Sequence, residues 1–89
     1  MNNIVKLTAC KEISHDIYAY FTNDFKKAIQ ALKLGINCTG AVEDRGYNIY
    51  YNDNAELCCE YIEDCVIKEL IKVSSIQEAA KWMDKVMYD

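Results

Sequence analysis

The side chains of this chain that could do chemistry are five thiols, one imidazole and fourteen carboxylates, and only the carboxylates are concentrated. Cys10, Cys38, Cys58, Cys59 and Cys65 contain no C-x-x-C pair, and His15 is the single histidine. The usual spacing of a Cys/His zinc site is therefore missing. An odd thiol count with two adjacent cysteines fits reduced thiols in a cytosol better than a disulfide framework. Small buried hydrophobes are the default role for all five.

General acid–base or nucleophilic catalysis finds equally little support. His15 falls at the start of an expected helix, where the positive end of the dipole disfavours its protonated form. No G-x-S-x-G, H-E-x-x-H or phosphate-cradling glycine loop accompanies it. Pairs such as Glu60 with Asp64 read as surface neighbours, not as the buried acid that catalysis needs. The expectation is a protein that is not an enzyme and carries no cofactor or metal.

The carboxylates are more informative. Glu43, Asp44, Asp53, Glu56, Glu60, Glu63 and Asp64 stand against one base, Arg45, so residues 43–64 are net −6. The remainder, with seven acids and nine lysines, is net +2, and a formal total of −4 hides the contrast. Calcium would need several convergent oxygens, and no D-x-D-x-D-G loop is present. Solvation of a small protein is the bland reading. The functional one is a negative patch that docks on a basic groove, since clustered charge steers partners as a mean charge does not. As a nucleic-acid mimic the match is partial, because acids at every fourth helical residue stand ~6 Å apart whereas DNA carries a charge per ~1.7 Å of axis. Direct nucleic-acid binding is not expected from an acidic chain with a single arginine.

Aromatic and apolar residues supply the other interaction candidates. Tyr47, Ile49 and Tyr51 would share one face of a strand and pack, while Tyr50, flanked by Asn48 and Asn52, would be a surface aromatic fit to anchor an interface. Leu57, Ile67 and Ile71 would lie off the buried stripe of an expected helix, and Trp82 off that of the last one. These four form a candidate self-association surface, for instance of a homodimer.

The elements that must position these residues follow from periodicity. At 89 residues with no proline, no linker and no repeat, the chain is expected to form a single domain, 1–89. Asn3 to Lys11 reads as a strand. A helix between the N-cap Ser14 and the C′ residue Gly35 would carry Tyr18, Phe21, Phe25, Ala28 and Leu32 as its stripe, with a strand at Ile17–Phe21 and a shorter helix as the rival. Ala41–Glu43 and Tyr47–Tyr51 form a hairpin in which Gly46 takes the positive-φ position.

From Asp53, with Glu56 completing a capping box, a second helix would align Glu56, Glu60, Asp64, Lys68 and Lys72 in one i+4 row. The competing reading makes Cys65–Val73 a strand, given its β-branched residues. Ser75 and Glu78 cap the last helix, with Ile76, Ala79, Ala80, Met83 and Met87 buried. The expected class is α+β, with a small antiparallel sheet of about three strands, helices packed on one face, and the order β-α-β-β-α-α.

No signal-peptide h-region and no membrane-length apolar run appear, so a cytoplasmic location is expected. The excess of lysine over arginine, with frequent Asn, Ile and Tyr, is what AT-rich codons produce and points to a bacterial or phage genome. Together these features lead to a non-catalytic protein-binding protein, anti-CRISPR-like or another anti-defence inhibitor from a phage or mobile element. Its contact surface would be Glu43, Asp44, Tyr50, Asp53, Glu56, Glu60, Glu63 and Asp64, facing a protein with a basic surface. The alternative is a self-associating structural or regulatory module.

Overall fold

The computed structural model describes residues 4–7 and 17–88. Six strands, β1 (Ile4–Lys6), β2 (Tyr18–Phe21), β3 (Cys38–Val42), β4 (Arg45–Tyr51), β5 (Leu57–Glu63) and β6 (Val66–Val73), form one sheet in sequential order. Helix α1 (Phe25–Lys33) joins the one parallel pair, β2 and β3, and α2 (Ile76–Tyr88) ends the described chain. The other neighbouring pairs are antiparallel. The class is α+β as expected, but the three-stranded sheet and the order β-α-β-β-α-α are overturned. The chain has a six-stranded mixed sheet in the order β-β-α-β-β-β-β-α.

Two corrections account for the difference. The long helix expected over residues 14–35 is a strand followed by a nine-residue helix, the rival reading. Thr22 and Asp24 decide it, because side-chain hydrogen bonds compete with helix propagation. The Thr22 hydroxyl accepts from Asp24 N, and Asp24 caps α1 by accepting from Lys26 N at 2.8 Å and Lys27 N at 3.2 Å. At the other end Gly35 sits at φ 79, with Gly35 N donating to Leu32 O and Ile36 N to Ala31 O. That is a Schellman stop with glycine at C′, as expected. Ser14 and His15 lie outside the described residues, as does the part of the expected first strand beyond Leu7.

The helix expected from Asp53 is the hairpin β5–β6. Asp53 caps nothing. Instead Asn52 Oδ1 accepts from Asn54 N and Glu56 N, and closes the turn between β4 and β5. The second turn is Asp64-Cys65, both at positive φ (53 and 64), the pattern of a type I′ hairpin. Without glycine it left little trace in the sequence. A strand also places two of the three residues that the helix left off its stripe: Leu57 and Ile71 turn toward the helices together with Cys59 and Val73, while Ile67 stays exposed. Lys68 is the extra residue of a bulge, since Ile62 pairs with Ile67 and Tyr61 with Glu69.

Both helices pack against one face. The core there joins Ala28, Ala31 and Leu32 of α1 and Ala79, Met83 and Met87 of α2 to Cys38, Tyr47, Ile49, Leu57 and Cys59 of the sheet. One arm of the expected Ser75 and Glu78 cap forms, with Glu78 N donating to Ser75 Oγ, while the return arm reaches one residue further back, with Ser74 N donating to Glu78 Oε1 at 2.9 Å. Gly40 lets α1's entry segment approach: a Cβ there would collide with Thr22 O, Asn23 Oδ1 and the Tyr47 ring. Among the described residues no helix is long and apolar enough to cross a membrane.

Candidate functional site

The acidic residues do not form one row. Strand geometry sends alternate residues to opposite faces, so the helical i+4 row is dispersed. Glu60 points to the helix-free face and is 2 % exposed. Its carboxylate accepts from Asn48 Nδ2 at 3.0 Å and from Tyr50 OH at 2.8 Å. Asn48 Oδ1 in turn accepts from Thr39 Oγ1 at 2.7 Å. Tyr50, expected at the surface, is buried beside Leu7, Ala19 and Cys58, and burial with the Glu60 bond pushes its phenol pKa well up. The Asn-flanked face looked exposed in sequence because nothing local shows that Leu7 and Ile17 come back to cover it. Leu7 N donates to Ile17 O, which closes that cover.

Asp53 and Glu56 lie at the β4–β5 turn. Glu56 bonds Asn52 Nδ2 at 2.9 Å and pairs with Lys72 at 3.1 Å, and these two partners lower its pKa in that order. The four remaining acids are brought together at the opposite end of β4 and β5. Glu43 and Asp44 form the β3–β4 turn, Glu63 ends β5 and Asp64 opens the β5–β6 turn. Asp64 N donates to Asp44 O at 3.0 Å and so ties one tip to the other. Positive φ falls on Glu43 (57), not on Gly46, because the turn is Glu43-Asp44 and Gly46 already lies within β4. Arg45, across the ladder from Glu63, donates through Nη1 to Met87 O at the end of α2.

A cavity of about 580 Å³ opens beside the tips on the helix-free face. Its floor is Ala41 and Gly46, which sit opposite each other in the β3–β4 ladder, and Leu7, Phe21 and Ile62 are among its walls. Glu43, Asp44 and Asp64 line it on one side, and Thr39 and Asn48 at its inner end. No motif or charge pattern in the sequence marks this hollow. Its one available signal was two small residues, Ala41 and Gly46, on the same face of a hairpin, which leaves the sheet surface recessed.

The proposed self-association residues are mostly spent on the fold. Leu57 and Trp82 are 6 % exposed, Ile71 packs on the same core, and Trp82 Nε1 donates to Glu69 Oε1 at 2.8 Å. Ile67 alone of the four is exposed, beside Val66 and Leu70 on edge strand β6. Cys38 and Cys59 are buried deeply enough to push each thiol pKa to about 12, and Cys58 is raised by burial as well. Cys65 is exposed. Among the described residues no group of three or more His, Cys, Asp and Glu is placed to hold a metal ion. No protein-family model, no curated protein and no solved structure matches this chain.

Proposed function

We propose that this chain is a non-catalytic binding protein that docks the acidic end of its sheet on a basic surface of a protein partner. The observation that supports the reading is the meeting of Glu43, Asp44, Glu63 and Asp64 on two tips tied by Asp64 N and Asp44 O. Acids held on tight turns lose little conformational freedom on binding, and that lowers the cost of association. Clustered negative charge also attracts a basic surface from a distance and accelerates encounter. In its concrete form the protein is a cytoplasmic anti-CRISPR-like or other anti-defence inhibitor of phage or mobile-element origin. It would occupy the basic nucleic-acid groove of a host enzyme. Glu60 and Tyr50 are no longer contact residues in this reading, and Glu56 is a peripheral one.

The test is affinity capture from host lysate at low and high salt, using the wild-type chain, Asp44→Lys/Asp64→Lys and Glu56→Lys. A partner retained by wild type and Glu56→Lys, released by salt and lost from the tip variant supports the reading. An identical captured set for all three overturns it. A second reading, self-association through β6, draws on exposed Val66, Ile67 and Leu70 along an edge strand. Sedimentation at several protein concentrations separates it, because a homodimer whose mass is indifferent to salt fits only that reading.

A further inference from the structure

We propose that the cavity beside the acidic tips receives an apolar side chain of the partner, presented between basic residues. The proposal rests on the acidic-docking reading and adds to it the chemistry of the contact. Three observations converge. The cavity, at about 580 Å³, falls in the range of ligand-sized hollows and takes a large side chain with room for parts of the residues that flank it. Its floor is recessed because Ala41 and Gly46 lie opposite each other and place almost no side chain on that face. Leu7, Phe21 and Ile62 make its walls apolar, so water there finds few partners and an apolar group displaces it favourably.

The inner end gives the second constraint. Thr39 and Asn48 line it, but the Thr39 hydroxyl is within 2.7 Å of Asn48 Oδ1 and Asn48 Nδ2 donates to Glu60. The tip of an occupant therefore meets groups already engaged with one another, and an apolar end fits where a polar one would compete. The lip supplies the third. Three carboxylates, Glu43, Asp44 and Asp64, face two cations in the lining, Lys6, which is itself engaged, and Arg45, which is drawn to Met87 O, so the acids stay in excess. An anionic ligand would face those carboxylates. A neutral small molecule would leave them unused. A large apolar residue with arginine or lysine beside it engages both the hollow and its edge, as a desolvated anchor within a charged rim.

Three capped tripeptides, Arg-Phe-Arg, Arg-Ala-Arg and Glu-Phe-Glu, titrated into the wild-type protein by heteronuclear NMR, test this. Burying the phenyl ring in the hollow should make Arg-Phe-Arg bind roughly tenfold tighter than Arg-Ala-Arg. Its shift changes should centre on Ala41, Gly46 and Ile62. Ala41→Leu, which fills the hollow, should erase that advantage. Phe21→Ala, which removes a wall at a part-exposed position, should reduce it should Ala41→Leu fold poorly. Equal affinity for Arg-Phe-Arg and Arg-Ala-Arg, with shifts confined to Glu43, Asp44, Glu63 and Asp64, overturns the anchor and leaves the docking reading standing. Glu-Phe-Glu binding as well as Arg-Phe-Arg overturns both, because the acidic lip then plays no part. Absence of binding by all three overturns the anchor.

Discussion

Replacing Glu60 by alanine separates the structure from the reading in which that residue is a surface acid. In the fold, Glu60 is 2 % exposed and its carboxylate accepts from Asn48 Nδ2 and Tyr50 OH among the described residues. Truncation takes the acceptor from both buried donors, and each lost buried bond costs about 1–3 kcal/mol, so a loss near ~3 kcal/mol is expected after partial relaxation. For a domain of this size each kcal/mol moves the melting temperature by about 4–8 °C, which places Glu60→Ala at least ~12 °C below wild type. Calorimetry or circular dichroism reads the shift, with Glu56→Ala as an exposed control expected within about 0.5 kcal/mol of wild type.

A double-mutant cycle with Tyr50→Phe sharpens the test, because removing the phenol hydroxyl removes one of those donors. The double variant should therefore be more stable than the sum of the single losses requires. Glu60→Ala melting with the Glu56→Ala control, or strict additivity with Tyr50→Phe, would refute the buried network. It would return Glu60 to a solvated surface.

Two further outcomes follow from the packing. Gly40→Ala should lower stability by about 2 kcal/mol or more in urea denaturation, because the added methyl overlaps Thr22 O and the Tyr47 ring and forces backbone movement; a neutral effect would show that β3 and the α1 entry segment are further apart. In alkali, Cys38 and Cys59 stay protonated in the folded state to about 12 while the unfolded chain gives up those protons near 9.0. Stability is therefore complete below pH 9 and falls between pH 9 and 12, where the folded state binds more protons than the unfolded one. Urea midpoints across that range check it, and Cys38→Ala/Cys59→Ala should flatten the slope.

Local chemistry made several elements legible without the fold. Gly35 stops α1 because its positive φ is a backbone requirement that glycine meets at no steric cost. The Ser75 and Glu78 cap and the alternation of Tyr47, Ile49 and Tyr51 are likewise local patterns with local causes. Residues 53–73 show where such reasoning stopped. Their i+4 charge row and their β-branched content supported different structures, and both were real features of the sequence. The choice fell to partners distant in the chain, since β5 and β6 bury their apolar face only when α2 covers it and β4 supplies an edge. A hairpin turn built on Asp64 and Cys65 gave no glycine signal to tip the balance.

The candidate site divides along the same line. The acid count over residues 43–64, and the shortage of motifs for metal or covalent chemistry, belong to the sequence alone, because charge and spacing do not depend on folding. Which acids act together does depend on it. Pairing β4 with β5 joined Glu43 and Asp44 to Glu63 and Asp64, turned Glu60 inward, and gave Glu56 to Lys72. The cavity beside the tips is also tertiary, since its walls come from β1, β2 and β5 and its floor from the recess between β3 and β4. Charge is a property of residues, but a surface is a property of their register.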